Sequence, residues 1–179
     1  KAKRVIIYSS IIAILVFGLG LLSKIIYLRI TETEGEIYSR INSKQMIIVL
    51  WALIAEEMGW RGFLQEELKL KHRALIPLVI GFLWTIWHSH YYWIGRNEIP
   101  VLIFMVGCIG ESYIYYYITK RLNGNIIPVS VWHFMGNLVI TICAMNPGEN
   151  GGSILLYGIY TSMISILGIV SFIKEFIGK

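Results

Sequence analysis

The chain has 179 residues, 56% of them hydrophobic and only 15% charged, with a net charge of +5. Its mean hydropathy of +0.63 sets it apart from soluble domains, which run near 45–50% apolar and about 25% charged. This balance excludes disorder and nucleic-acid binding and argues against an ordinary cytosolic enzyme, because basic residues in so apolar a chain usually mark cytoplasmic loops. Cys108 and Cys143 both sit in apolar runs and offer no disulfide framework.

A bilayer core needs about 20 apolar residues per helix. About six stretches of that kind follow in chain order: Val5–Leu28, Met46–Leu64, Ala74–Ile94, Pro100–Ile118, Ile126–Met145 and Ser153–Ile173. An acidic break at Arg29–Gln45 and shorter ones such as Asn123-Gly124-Asn125 and Asn146-Pro147-Gly148 carry turn chemistry. No alternating segments of barrel type and no internal repeat are present. The expected fold is an all-α polytopic membrane bundle of about six transmembrane helices with a polar cavity between them. Residues 1–45 supply an N-terminal helix and outer loop, 46–145 a four-helix core and 146–179 a C-terminal helix. The chain begins at Lys1, and Val5–Leu28 lacks a small-residue cleavage site, so it reads as a retained helix of a protein trimmed at its start.

With the N-terminus inside, ten basic residues fall on inner segments: Lys1, Lys3, Arg4, Lys69, Lys71, Arg73, Lys120, Arg121, Lys174 and Lys179. Four fall outside: Arg29, Arg40, Lys44 and Arg96. This bias places both termini in the cytoplasm. The isoleucine-rich composition points weakly to an AT-rich bacterial genome, hence a bacterial inner or plasma membrane.

The second span carries Glu56, Glu57 and Arg61. Each such group facing lipid costs roughly 2.5–3.5 kcal/mol, so they should face protein or a wet cavity and pair there. Glu57 and Arg61 share a helix face as an i,i+4 pair. Glu56 is rotated by about 100°, so one carboxylate is held and the other left available. The plainer reading is a helix lock, although a lock needs only one glutamate.

The third span holds His88, which alone reads more readily as a hydrogen-bonded core residue. His90 points elsewhere and reads as interfacial, and His72 as solvated. The fifth span places His133 and Asn137 one turn apart on one face, where a polar clamp between helices is the plainer reading. Taken together, a carboxylate pair, a histidine and a His/Asn face on three spans compose a general base with electrophilic helpers. No Ser or Cys has a convincing base partner, and no His-Glu-x-x-His is present.

These residues resemble the CPBP intramembrane proteases, also called CAAX proteases, bacteriocin-processing enzymes or the Abi family. Glu-Glu-x-x-x-Arg stands as Glu56-Glu57-Met58-Gly59-Trp60-Arg61, followed by Gly62. Phe-x-x-x-His is matched at His88 with Trp84 in the aromatic position, and His-x-x-x-Asn stands as His133–Asn137 after Pro128. The resemblance covers residues 46–145 well and the flanking helices only by hydropathy. It implies an endopeptidase in which Glu56 is the general base, His88 orients the water, and His133 and Asn137 stabilise the oxyanion. Glu57, Arg61 and Trp84 would be supporting residues, with Arg61 holding Glu57. Glu56, His88 and His133 could in principle hold zinc with an open position, yet the scheme works without metal and no bound ion is expected. Family members often carry two more N-terminal helices.

Glu111 matches no motif and reads as a structural acid, wetting the cavity or pairing with Lys120. Tyr113, Tyr115, Tyr116 and Tyr117 read as an interfacial belt, and Gly107 and Gly110 as close-packing residues. The expected partners are the lipid bilayer and a peptide or membrane-protein substrate, with no nucleic acid. The competing reading is a non-proteolytic membrane protein on the same scaffold, such as a bacteriocin self-immunity protein or a sensor-kinase partner. A transporter is disfavoured by the absent repeat.

Overall fold

The computed structural model describes residues 2–34, 36–38, 46–47, 49–50, 55–95, 98–148 and 151–178. Residues 48 and 51–54 of the expected second span, residues 35 and 39–45 of the Arg29–Gln45 break, and Lys1, Arg40, Lys44, Arg96 and Lys179 of the charge count lie outside the described residues. Among the described residues every regular element is helical.

Helix α1 (Ala2–Thr31) has 30 residues, about 45 Å of rise against about 30 Å of hydrocarbon. It is apolar all round. Ile12, Val16, Gly20 and Ser23 form a buried stripe, while Ile6, Ile11 and Ile14 stay exposed, as lipid on the outer face requires. A π-helical segment Met58–Leu64 follows, then α2 (Gln65–Glu67), α3 (Leu75–Trp87), α4 (Ser89–Trp93), α5 (Val101–Arg121), α6 (Ile127–Ile142), α7 (Ile154–Phe172) and a π-helical turn Ile173–Ile177.

Among the described residues three helices are long and apolar enough to cross a membrane, Ala2–Thr31, Val101–Arg121 and Ile154–Ile177, with Ile127–Ile142 shorter. The helices agree with the expected membrane bundle, and one expected span is divided. The stretch Ala74–Ile94 is divided between α3 and α4 at His88, whose backbone sits at φ −81°, ψ 0°. Its Nδ1 bonds the Trp84 carbonyl at 2.8 Å, and its backbone N–H is shared between the carbonyls of Trp84 and Thr85. Side-chain competition for a helical carbonyl loosens the ladder there. The turn at Asn123 and Gly124 is as the sequence suggests: both have positive φ, and the Gly124 N–H returns to the Thr119 carbonyl at 2.8 Å.

Helix α5 is the hub, packed against α3, α6 and α7, while α1 lies on α6 and α7. A Cβ added to Gly81 would come within 2.6 Å of the Ile109 Cα, and one on Gly168 within 2.8 Å of the Gly110 Cα. Only glycine lets these backbones approach so closely. One core unites Val16, Trp84, Tyr115, Val139 and Leu156 from five helices, so the flanking helices share the core of the middle segment.

Two further expectations are overturned. Tyr115 and Tyr116 are not interfacial; they are 0% and 3% exposed. Lys120 pairs with Glu66 at 2.8 Å and not with Glu111, because Glu111 and Lys120 lie about 180° apart around α5 at 100° per residue.

Candidate active site

The site is organised around Glu57. The residue is fully buried, and its Oε1 accepts from Arg61 Nη1 at 2.9 Å and from His133 Nδ1 at 2.8 Å. The i,i+4 spacing brings Arg61 onto the same face as Glu57, and His133 reaches it from α6. Arg61 Nη2 donates to Ser112 Oγ at 3.1 Å. The guanidinium packs against the rings of both Trp84 and Tyr115, 4.6 and 4.4 Å from their centroids. A desolvated cation gains about 2 kcal/mol or more per good contact with an aromatic ring. Glu57 is thus the held carboxylate.

Glu56 faces a different way and is half-buried. Its Oε2 accepts from the indole Nε1–H of Trp84 at 2.7 Å. A phenylalanine at position 84 could not make this bond. Glu56 borders a groove of about 670 Å³ with Trp60, Phe63, Trp87, His90 and Tyr91. A smaller cavity of about 70 Å³ is lined by Trp84, His88, Glu111, His133, Asn137 and Tyr160, among others. Trp84 lines this cavity and links it to the groove through its bond to Glu56, and its ring lies 5.1 Å from that of His133 and 5.9 Å from that of His88.

The histidine tautomers follow from these contacts. A carbonyl only accepts, so His88 donates from Nδ1 to Trp84 O, leaving Nε2 as its free nitrogen. His133 donates from Nδ1 to the Glu57 carboxylate and likewise keeps Nε2. A neutral imidazole held this way offers a lone pair at Nε2; it donates there only as the imidazolium.

His88, His133 and Asn137 therefore meet in one cavity, as the sequence suggests, with Glu57, Arg61 and Trp84 forming its support. Glu56 is joined to that cavity through Trp84 and opens on the adjoining groove. His72 is exposed; His90 is also exposed and lines the groove instead of the cavity. Glu111 lines the cavity, as one of its two sequence readings had it, whereas sequence reasoning missed Ser112 and Tyr115, which hold Arg61, and the presence of Tyr160. The neighbours Glu111 and Ser112 on an apolar helix were a usable signal; Tyr160, in the last helix, had none.

The zinc ligands the resemblance allows do not fit as built. Histidines with Nδ1 tied to an acceptor do suit metal binding, but among the described residues no three His, Cys, Asp or Glu side chains gather at metal-ligand spacing. Glu56, His88 and His133 are not a preformed set.

Helices long enough to span a bilayer, enclosing a buried Glu–Arg–His cluster beside a polar cavity, define the class as a membrane helix bundle with an internal polar site. The chain belongs to the Rce1-like family: the model for type II CAAX prenyl endopeptidase, Rce1-like, matches residues 43–139. All three motifs lie inside the matched stretch, in agreement with the resemblance they carry. At the family level this is a CAAX-type membrane protease, a hydrolase acting on a peptide or protein. None of the curated proteins and none of the solved structures matches the chain.

Proposed function

We propose that this chain is an intramembrane endopeptidase that hydrolyses a peptide bond of a peptide or membrane-associated protein with water activated by glutamate and histidine. Glu56 takes a proton from the water as its oxygen adds to the carbonyl carbon, and His88 Nε2 orients that water. Asn137 donates to the developing oxyanion, and His133 does so when it carries a second proton at Nε2, each such donor worth about 2.7–4 kcal/mol in well-studied sites. When the C–N bond breaks, the proton held on Glu56 passes to the departing amine. Glu57 and Arg61 keep His133 in one tautomer and orientation.

The observation that carries this reading is the division of labour between the adjacent glutamates. Arg61 and His133 both engage Glu57, whereas among the described residues Glu56 bonds Trp84 Nε1 alone and borders a groove. A structural lock accounts for Glu57 and leaves Glu56 without a purpose. The groove is lined mostly by apolar and aromatic side chains, which suits an extended or lipid-linked segment entering from the bilayer. The Lys/Arg distribution supports a multi-pass arrangement in a bacterial plasma membrane with both termini cytoplasmic.

The test is a pair of purified proteins in lipid nanodiscs, wild type and Glu56→Gln, given an internally quenched peptide ending in a farnesylated Cys-aliphatic-aliphatic-X sequence. Loss of cleavage in Glu56→Gln supports the reading. Equal cleavage by both removes it.

A further inference from the structure

The last helix contributes a group that none of the three motifs contains. Tyr160, in α7, is 3% exposed, and its hydroxyl is buried without a hydrogen-bond partner among the described residues. Leaving a buried hydroxyl unsatisfied costs about 1–3 kcal/mol, so its retention calls for a reason. Its position supplies one. A Cβ added to Gly136 would lie 3.5 Å from the Tyr160 hydroxyl and 3.7 Å from Glu111 Oε1.

Gly136 sits on α6 between His133 and Asn137, and at i+3 and i+4 spacing these residues share one helix face. The missing side chain leaves a notch between the imidazole and the amide, and the Tyr160 hydroxyl reaches into it. All of these groups line the same cavity of about 70 Å³, room for a carbonyl group or about two waters at roughly 30 Å³ each. The chemistry of the notch lacks a donor. The His133 Nδ1 proton is committed to Glu57, so a neutral His133 presents only a lone pair there, and Asn137 alone among the motif residues has a standing N–H to give.

We propose that the Tyr160 hydroxyl is a further hydrogen-bond donor to the oxygen of the scissile carbonyl, acting beside His133 and Asn137 as that oxygen becomes an oxyanion. Tyr160 is then a catalytic residue supplied from outside the stretch that carries the family motifs. The inference rests on the reading of the chain as a peptidase, and it makes α7 part of the active machinery as well as the packing.

The experiment compares wild type, Tyr160→Phe, Gly136→Ala and Glu56→Gln on the farnesylated quenched peptide, with thermal unfolding measured on each. Tyr160→Phe should lower kcat about 10- to 100-fold, since single oxyanion donors are worth about 100- to 1,000-fold and this one shares its task. KM should stay within about threefold, because the bond strengthens only in the transition state. Thermal stability should hold or rise, since the lost hydroxyl has no partner in the fold; a structural role would lower it. Gly136→Ala, whose methyl group meets its neighbours at ordinary contact distance, should fold and also lose kcat. Full kcat in Tyr160→Phe, with Glu56→Gln inactive, overturns this inference alone. Wild-type activity in Glu56→Gln overturns the peptidase mechanism and this inference with it.

Discussion

Replacing Arg61 with methionine is the sharpest test of how the site is held. Arg61 is 2% exposed and Glu57 0%, and the pair is joined at 2.9 Å within the bundle. The methionine keeps most of the packing volume but leaves the Glu57 carboxylate, among the described residues, with only His133 Nδ1 and one oxygen already without a partner. Breaking a buried pair by removing one member costs about 3–5 kcal/mol, most of it from the uncompensated charge left behind. The stacking of Arg61 on Trp84 and Tyr115 adds up to about 2 kcal/mol per contact in a desolvated setting. Against a total of about 5–15 kcal/mol, Arg61→Met should be severely destabilised, by at least about 3 kcal/mol. The double variant Glu57→Gln/Arg61→Met carries no buried charge, and its glutamine carbonyl still accepts from His133. It should recover at least half of the loss. Reversible SDS-induced unfolding in mixed micelles, monitored by tryptophan fluorescence, reads all three proteins on one scale. A single variant within about 1 kcal/mol of wild type, or a double variant as unstable as the single, would refute the reasoning.

Trp84→Phe keeps an aromatic ring beside Arg61 and should stay folded, with a modest loss of stability, yet lose activity by about tenfold because the 2.7 Å bond that orients Glu56 is gone; parallel kcat and melting measurements decide this. Gly81→Ala forces a methyl group to within 2.6 Å of the Ile109 Cα, so α3 and α5 must separate, and expression in the membrane should drop sharply by immunoblot. The Lys120 hydrogen bond holds the Glu66 carboxyl below its ordinary value of 4.5. Its stabilising contribution is therefore complete above pH 4.5 and is lost as pH falls through the lowered value. Because the two side chains are 34% and 47% exposed, the contribution should not exceed about 1 kcal/mol. Lys120→Ala should flatten the acid limb of the stability profile by no more than that.

The sequence made the polar framework legible because charges in apolar spans are few and must pair. Glu57 with Arg61 follows from i,i+4 spacing, and the single-face placement of His133 and Asn137 from the same arithmetic. What escaped depends on how helices meet. No spacing rule places His133 Nδ1 on Glu57, or brings Tyr115 under Arg61, since those contacts arise from the packing of α5 and α6 around the second span. The break at His88 also escaped, because hydropathy reads Ala74–Ile94 as one apolar run and does not register a side chain competing for the Trp84 carbonyl. Trp84 itself looked like a neutral exchange of one large ring for another, yet its indole N–H is what holds Glu56. Tyr160 reads as one more aromatic in an apolar helix until α7 is seated against the notch at Gly136.

The central claim is that Glu56 activates water for peptide hydrolysis. Its most direct test is quantitative mass spectrometry of membrane and secreted polypeptides from cells expressing wild type or Glu56→Gln at equal levels. The account predicts at least one intact precursor that accumulates only with Glu56→Gln, together with its two cleavage products only with wild type. Identical polypeptide profiles in the two strains would contradict it.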